Sequence, residues 1–289
     1  MKSIPPPHPD PHPPRRFTPP PNACDAHCHI FGPGDRFPFS ADRTYTPPDA
    51  GIEMFERLQE GLGLWRAVFV QASCHGTDNA AMVDALVRGR GRYAGVAMVD
   101  DGVTDAQIGA LHDAGVRGTR FNFVAHLGGA PDLDEYWRIV HRVAAFGWHI
   151  VLHFDAKDLA SYADLLDAMP TPYVIDHMAR VDATAGLDQE PFQQLLRLMA
   201  DERCWVKISG AERLTAGGAP PYDDVTPYAR ALIAAAPDRV LWGTDWPHPN
   251  VRHMPDDGDL LDHLADFAPD EATRNHILVA NPARLYDFG

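Results

Sequence analysis

The stretch CDAHCH near the start of the chain carries two histidines, His27 and His29, at the end of a short apolar run. In a β-strand, residues two apart point to the same face, so these imidazoles project together while Cys28 points away. Paired imidazoles can bind a metal ion or grip a substrate. A single histidine in a strand is usually explained by packing, but a pair at a strand end is harder to explain in this way.

Further polar side chains stand where later apolar runs end. They are Ser73, Cys74, His75, Arg120, Asn122, His153, Asp176, His177, Ser209, Glu212, Arg213, Asp245 and His248. Their recurrence at the ends of separate runs favours a functional set. Simpler alternatives stay open for some of them. Asp245 could serve only to orient a histidine, and His75, His126 and His248, in loops, could be solvated side chains.

Eight apolar, β-rich runs would position these residues. They read ACDAHCH, AVFVQAS, YAGVAMVD, GTRFNF, HIVLHF, YVIDH, WVKISG and VLWGTDW. Most are separated by segments with helical periodicity, such as AAMVDALVRG, DAQIGALHDAG, YWRIVHRVAAFG and FQQLLRLMAD. This alternation predicts a single (β/α)8 barrel of the TIM type, in which chemistry collects at the carboxyl ends of the strands. A doubly wound open sheet is the alternative, but FGPGDRF lacks the G-x-G-x-x-G turn.

The composition limits the domain organisation and the partners. The 289 residues carry a net charge of −15, which argues against nucleic acid or an anionic membrane as the main partner. Residues 1–22 are rich in proline, so we expect a surface arm without regular helix or strand, followed by one catalytic domain over 23–289. The arm lacks the apolar segment of a signal peptide, and no run of about 18 apolar residues occurs. Four cysteines without a zinc-ribbon pattern indicate reduced thiols and a cytoplasmic protein.

The chain also resembles a known family. The H-x-H pair, histidines on the fifth and sixth strands and an aspartate on the eighth are similar to the amidohydrolase superfamily. The blocks ACDAHCHIFGPGDRFPFS, VQASCHGTDNAAMVDAL, LHDAGVRGTRFNF, DHMAR, AERLT and RVLWGTDWPHPN resemble the 2-pyrone-4,6-dicarboxylate lactonase family, which includes 4-sulfomuconolactone hydrolase. The resemblance implies a barrel that hydrolyses a ring ester formed in bacterial breakdown of aromatic acids, and hence a carboxylic ester hydrolase.

The resemblance also implies roles for individual residues. Asp245 would be the general base that activates water, and His27, His29 and His177 would polarise the lactone carbonyl. The anionic groups of the substrate would be held by Tyr45, Ser73, Arg120, Arg213 and Asn250. These roles suit the side chains, because a carboxylate can accept a proton from water and an arginine matches a planar carboxylate.

Two departures from the family pattern affect the expected chemistry. A basic pair expected after RFNFV is replaced by Ala125 and His126, so the second anion-binding position falls to a weaker residue, His126. His153 stands where these lactonases have a tyrosine, which restores the metal pattern of the superfamily. We therefore expect one divalent ion, zinc first, with its ligands drawn from His27, His29, His153, His177 and Asp245. A metal-free mechanism stays open.

Two other classes of function are compatible with this site. A metal-dependent decarboxylase of an unsaturated acid would use a similar set of histidines and aspartate. A catalytically silent barrel that serves as a scaffold is disfavoured by the near-complete polar set. The expected partner is a small anionic lactone, and the sequence leaves monomer and small homo-oligomer equally open.

Overall fold

The computed structural model describes residues 2–288; Met1 and Gly289, the outer ends of the predicted arm and domain, lie outside the described residues. Its main sheet contains β1 (Cys24–Cys28), β2 (Arg66–Val70), β3 (Tyr93–Ala97), β4 (Val116–Asn122), β5 (His149–His153), β6 (Tyr173–Ile175), β7 (Cys204–Lys207) and β8 (Val240–Leu241). Successive strands pair in parallel along the whole series. All eight predicted strands are therefore confirmed.

Backbone hydrogen bonds between the first and last strand segments close the sheet. The amide of Ala26 donates to the carbonyl of Trp242 at 2.9 Å, and the amide of His29 donates to Trp246 at 2.7 Å. In return, the amide of Asp245 donates to the carbonyl of His27 at 2.7 Å. The architecture is thus the predicted (β/α)8 barrel rather than the open-sheet alternative, and closure itself joins the H-x-H strand to the strand of Asp245.

Helices surround the barrel. The α-helices span Ile52–Leu62, Ala80–Gly89, Asp105–Asp113, Leu133–Ala144, Ala163–Asp167, Glu190–Leu198, Ala211–Leu214, Thr226–Ala235, Asp257–Phe267, Glu271–Asn275 and Asn281–Tyr286. Shorter 3-10 turns span Ser73–His75, Ala125–Leu127, Ala156–Tyr162 and Asp176–Arg180, and a π-helical turn spans His276–Ala280. The helices Ile52–Leu62 and Asp257–Phe267 were not identified from the sequence, and they complete the alternation after β1 and β8.

The strands are buried on both faces, because helices cover the outside of the barrel and side chains fill its interior. Trp205, Trp242 and Trp246 are buried in the core. The four cysteines are free thiols and all are buried. No helix within residues 2–288 is long and apolar enough to span a bilayer.

The N-terminal arm is attached to the barrel along its length. Its residues Lys2–Ser3 form a short strand that pairs in parallel with Tyr45–Thr46, so the expectation of no regular strand in the arm was wrong. The reason is local, because the prolines begin only at Pro5 and leave the preceding amides free to pair. Further along, the amide of His12 donates to Asp256 at 3.1 Å, and the amide of Arg15 donates to Asp262 at 2.8 Å.

Candidate active site

A small cavity of about 40 Å³ opens at the carboxyl ends of the barrel strands. Eleven residues were given a catalytic, substrate-binding or metal-binding role from the sequence, and ten of them line it: His29, Tyr45, Ser73, Arg120, His126, His153, His177, Arg213, Asp245 and Asn250. The eleventh, His27, lies against them and is fully buried. Ala72, Leu127, Arg180 and Pro249 complete the lining and were not among the predicted site residues. Parallel strands bring these distant segments to one end of the barrel.

Several of these residues have left-handed backbone conformations, which residues with side chains rarely adopt. The φ angles are 49° at His177, 50° at Arg180, 64° at Asp245 and 63° at Asn250. Such backbone geometry is unfavourable in itself and tends to concentrate at functional sites. It turns the chain sharply just after β6 and β8, and thereby places these side chains around one cavity.

Asp245 lies at the centre of three imidazoles. Its Oδ1 is 3.1 Å from Nε2 of His29 and 3.5 Å from Nε2 of His27. Its Oδ2 is 3.9 Å from Nε2 of His177. Burial alone would raise the pKa of Asp245, but the charge of Arg213 first, and then the neighbouring imidazoles, hold this pKa well below its ordinary value. The carboxylate is therefore ionised although it is buried.

Arg213 is bound directly to this carboxylate. Its Nε donates to Oδ2 of Asp245 at 2.5 Å, and a second guanidinium nitrogen also pairs with this oxygen. A third nitrogen donates to the carbonyl of Pro249 at 2.8 Å, and Nε lies 3.2 Å from Oε1 of Glu212. Arg213 was expected from the sequence to bind an anionic group of the substrate, but it is paired mainly with Asp245, the expected base.

The tautomer of His29 gives independent information on what lies beside Asp245. Nδ1 of His29 is 2.7 Å from the carbonyl of Val70, which can only accept, so Nδ1 carries the hydrogen. In a neutral His29 ring, Nε2 would then present a lone pair to the Asp245 carboxylate. A proton or a cation between the two atoms removes this conflict. An imidazole whose outer nitrogen donates to a backbone carbonyl is also the usual arrangement of a metal ligand.

His27 rests on a buried charged pair beneath the cavity. Its Nδ1 lies 3.0 Å from Nζ of Lys207 and 3.3 Å from Oδ1 of Asp176. Lys207 and Asp176 are themselves 3.2 Å apart, and Nε of Arg120 donates to Oδ2 of Asp176 at 3.0 Å. Burial and the Lys207 charge lower the pKa of His27 well below its ordinary value. His27 is therefore a neutral imidazole.

The two remaining histidines of the proposed metal set differ in their surroundings. Nδ1 of His177 is 2.9 Å from the hydroxyl of Ser209, and burial lowers the pKa of His177 to about 4. His153 places Nδ1 at 3.1 Å from Oδ1 of Asn122, and burial, followed by the charge of Arg120, lowers its pKa. Both rings are therefore neutral near pH 7.

Two histidines that could have been solvated are buried instead. Nε2 of His75 accepts a hydrogen bond from the amide of Gly32 at 3.1 Å, outside the cavity lining. Nε2 of His248 pairs with Oδ1 of Asp257 at 2.9 Å. The solvated interpretation of both side chains was wrong, because loops after β2 and β8 fold down over the barrel. His126, in contrast, is exposed at the rim of the cavity.

Comparison with known proteins agrees with this geometry. The amidohydrolase family profile matches residues 24–288. The chain is 48% identical over 280 residues to a 2-pyrone-4,6-dicarboxylate hydrolase of Comamonas testosteroni, covering 94% of this chain and 92% of that protein. It is 42% identical to a 4-sulfomuconolactone hydrolase of Hydrogenophaga intermedia, covering 94% and 91%. A solved Pseudomonas putida structure, described as a candidate 2-pyrone-4,6-dicarboxylic acid hydrolase, superimposes with a TM-score of 0.82 at 31% identity, covering 92% and 98%.

The chain belongs to the amidohydrolase family. In this amidohydrolase, His27, His177 and Asp245 offer ligand atoms that all lie within 4.8 Å of one another. Nε2 of His27 has no hydrogen-bond partner among the described residues, although it is buried. Two neutral imidazoles and a carboxylate suit a divalent ion such as zinc. His29 and His153 lie beside this trio and outside it.

Two functional candidates in this amidohydrolase escaped the sequence analysis. Lys207 stands inside an apolar strand run, WVKISG, where a lone charge was the available signal. Arg180 was part of the DHMAR block, but only the left-handed turn after β6 places it in the cavity wall. No periodicity of the sequence encodes that turn.

Proposed function

We propose that this amidohydrolase opens an anionic, unsaturated lactone by adding water across its ring ester. The proposal rests on one arrangement, in which the ionised carboxylate of Asp245 lies beside His27, His29 and His177 in an arginine-containing cavity. The names of its relatives at 48% and 42% identity supply the substrate class, a ring ester that carries carboxylate or sulfonate. The setting is then bacterial catabolism of aromatic compounds.

Substrate binding falls to the polar residues of the cavity wall. Arg120 binds a carboxylate of the substrate through guanidinium nitrogens other than Nε, because Nε is held by Asp176. Ser73, Tyr45 and Asn250 donate further hydrogen bonds from the same wall. Burial raises the pKa of Tyr45 well above its ordinary value, so its hydroxyl remains a donor at neutral pH.

Asp245 then acts as the base. It accepts a proton from water as the water oxygen bonds to the ester carbonyl carbon, and neighbouring imidazoles stabilise the developing oxyanion. The bond between that carbon and the ring oxygen breaks, and the ring oxygen receives the proton from Asp245. The products are a new carboxylic acid, which ionises, and a hydroxyl group on the former ring carbon, which is an enol where the lactone is a pyrone. Arg213 keeps Asp245 ionised and oriented between turnovers.

We further propose that His27, His177 and Asp245 hold a divalent metal ion, with His29 or His153 as an added ligand. The Nε2 atoms of His27 and His153, which have no hydrogen-bond partner within residues 2–288, support this assignment. Such an ion supplies Lewis acidity toward the carbonyl and lowers the pKa of water. The pairing of Arg213 with Asp245 also satisfies the carboxylate without an ion. A site that needs the metal should lose activity in a chelator, whereas a metal-free site should not.

Steady-state hydrolysis tests the function. Purified protein is given 2-pyrone-4,6-dicarboxylate and 4-sulfomuconolactone, and the loss of each ring chromophore is followed together with acid release in a pH-stat. Acid release equal to chromophore loss supports lactone opening. Evolution of CO2 with a smaller product would instead support a decarboxylase, and failure to convert either lactone would refute the proposed substrate class.

A further inference from the structure

Arg180 enters the cavity from an unexpected direction. It follows His177 by three residues, and the residues from His177 to Arg180 all have φ between 49° and 53°. This left-handed turn brings its side chain into the cavity wall together with Arg120 and His126. No role was assigned to Arg180 from the sequence or in the proposed mechanism.

Its hydrogen bonds leave the outer end of the guanidinium available. Nε of Arg180 donates to Oδ1 of Asp155 at 2.6 Å, and Asp155 follows β5 by two residues. Its two terminal nitrogens have no hydrogen-bond partner among residues 2–288. Asp155 thus anchors the side chain at one point and leaves a planar pair of donors, which is the geometry that fits a carboxylate bidentately.

The other positive groups of the cavity are placed differently. Arg213 uses Nε and both terminal nitrogens on Asp245 and on the carbonyl of Pro249. Arg120 is buried against Asp176, deep in the cavity, whereas the side chain of Arg180 is 30% exposed. His126 lines the same cavity wall, and desolvation, followed by the charge of Arg180, lowers its pKa. His126 is therefore neutral and cannot supply the second cation.

We propose that Arg180 is the residue that binds the second anionic substituent of the substrate, at the mouth of the cavity, while Arg120 binds the deeper one. This inference rests on the proposed function. It assigns the specificity for doubly charged rings to the loop after β6 rather than to the segment after β4, where His126 stands. A ring that carries two acidic groups would present one to each arginine.

Binding of ligands that cannot be hydrolysed tests the role of Arg180 independently of lactone hydrolysis. Benzene-1,3-dicarboxylate and benzoate are aromatic rings that cannot be hydrolysed, and they differ by one carboxylate. Their affinities are measured by calorimetry for the wild-type protein, for Arg180→Met and for Arg138→Met. Arg138 is a control because it pairs with Asp101 on the surface, away from the cavity lining. Circular dichroism checks that each variant is folded.

We expect Arg180→Met to weaken the dicarboxylate by about 10- to 100-fold, as for the loss of a charge-assisted hydrogen bond, and to change benzoate binding by less than about threefold. Arg180→Lys should retain part of the preference, because it keeps the charge without the planar fork. Equal weakening of both ligands, no weakening of either, or a wild-type protein that binds both equally would overturn the proposal.

Kinetics on the lactones give the second readout. With 2-pyrone-4,6-dicarboxylate, Arg180→Met should raise KM and leave kcat within about threefold, since Arg180 binds a group away from the ester. A fall in kcat at constant KM would refute the specificity role. If the wild-type protein hydrolyses neither lactone, the proposed function fails, while the difference between the two benzene acids still decides the role of Arg180.

Discussion

Arg213 and Asp245 form an ion pair inside the cavity, with Nε of Arg213 at 2.5 Å from Oδ2 of Asp245. The pair shares its surroundings with Glu212, whose Oε1 lies 3.2 Å from the same nitrogen. A cation that faces the base affects the chemical step, whereas a cation that faces only the substrate affects binding. Arg213, which faces the base, and Arg120, which faces the substrate, should therefore have distinguishable effects on kcat and KM.

Substituting each arginine by methionine tests this distinction. Arg213→Met should lower kcat by about 10-fold or more, because Asp245 loses the partner that keeps it ionised and oriented. Arg120→Met should mainly raise KM, by about 30-fold or more, as for loss of a buried charge contact of about 2–5 kcal/mol. Steady-state kinetics on the proposed lactones measure both quantities. A pure KM effect of Arg213→Met would return Arg213 to substrate binding.

The role of Asp245 as base predicts a large effect of a small change. Asp245→Asn preserves the shape of the side chain but removes the proton acceptor, so kcat should fall by about 10²- to 10⁴-fold. Asp101→Asn, which alters an exposed pair with Arg138, is the matched control and should leave kcat unchanged. Near wild-type turnover in folded Asp245→Asn would exclude this residue as the base.

Metal content can be decided without reference to mechanism. Protein purified without a histidine tag should contain about one divalent ion per chain by elemental analysis, and His177→Ala should reduce that content, because His177 belongs to the trio of ligand atoms within 4.8 Å. Dialysis against a chelator should reduce kcat, and added zinc should restore it. Full activity with substoichiometric metal would refute the metal site and leave the lactonase proposal standing.

Lys207 should be important for stability. It is fully buried and its Nζ lies 3.2 Å from Oδ1 of Asp176. Lys207→Met therefore leaves a buried carboxylate whose remaining positively charged ion-pair partner within residues 2–288 is Arg120. The free energy of unfolding should fall by about 3–5 kcal/mol, measured by urea denaturation. Lys157→Met is the control, because Lys157 is exposed and pairs loosely with Asp155 at 3.9 Å, and it should cost less than about 1 kcal/mol.

Attachment of the arm should depend on pH through His12. Burial opposes protonation, but the carbonyl of Pro13 and the carboxylates of Asp259 and Asp256 together raise the pKa of His12 above 6.5. Since the folded-state pKa is raised, the stabilisation is fully present below pH 6.5 and is lost as pH rises through the raised pKa. The arm should therefore be released more readily in alkaline buffer.

Limited trypsin cleavage after Arg16 measures this release. At each pH, the cleavage rate of the wild-type chain is divided by that of His12→Gln, which cancels the pH dependence of the protease and removes the titrating group. The ratio should be lowest near pH 6 and should rise toward one at pH 8.5. A ratio that does not change with pH would show that His12 does not control the attachment.

Much of the frame follows from the sequence by itself. Apolar runs of about five residues, alternating with helical segments, are sufficient to predict parallel strands covered by helices on both faces, and the missing G-x-G-x-x-G turn favours the closed barrel over an open sheet. The spacing of His27 and His29 places both on one side of β1, since side chains alternate along a strand. Asp245, at the end of the last strand, then meets them through closure of the barrel.

Only the tertiary structure decided how the charges are paired. Arg213 and Arg180 both lie in short segments that follow barrel strands, yet Arg213 is bound to Asp245 and Arg180 leaves two nitrogens at the cavity mouth. Lys207 stands in an apolar run and acquires its partners from elsewhere in the barrel, His27 from β1 and Asp176 from the turn that follows β6. Which groups form hydrogen bonds depends on differences of a few tenths of an ångström in the relative positions of segments far apart in the chain. Neither periodicity nor spacing in the sequence determines those positions.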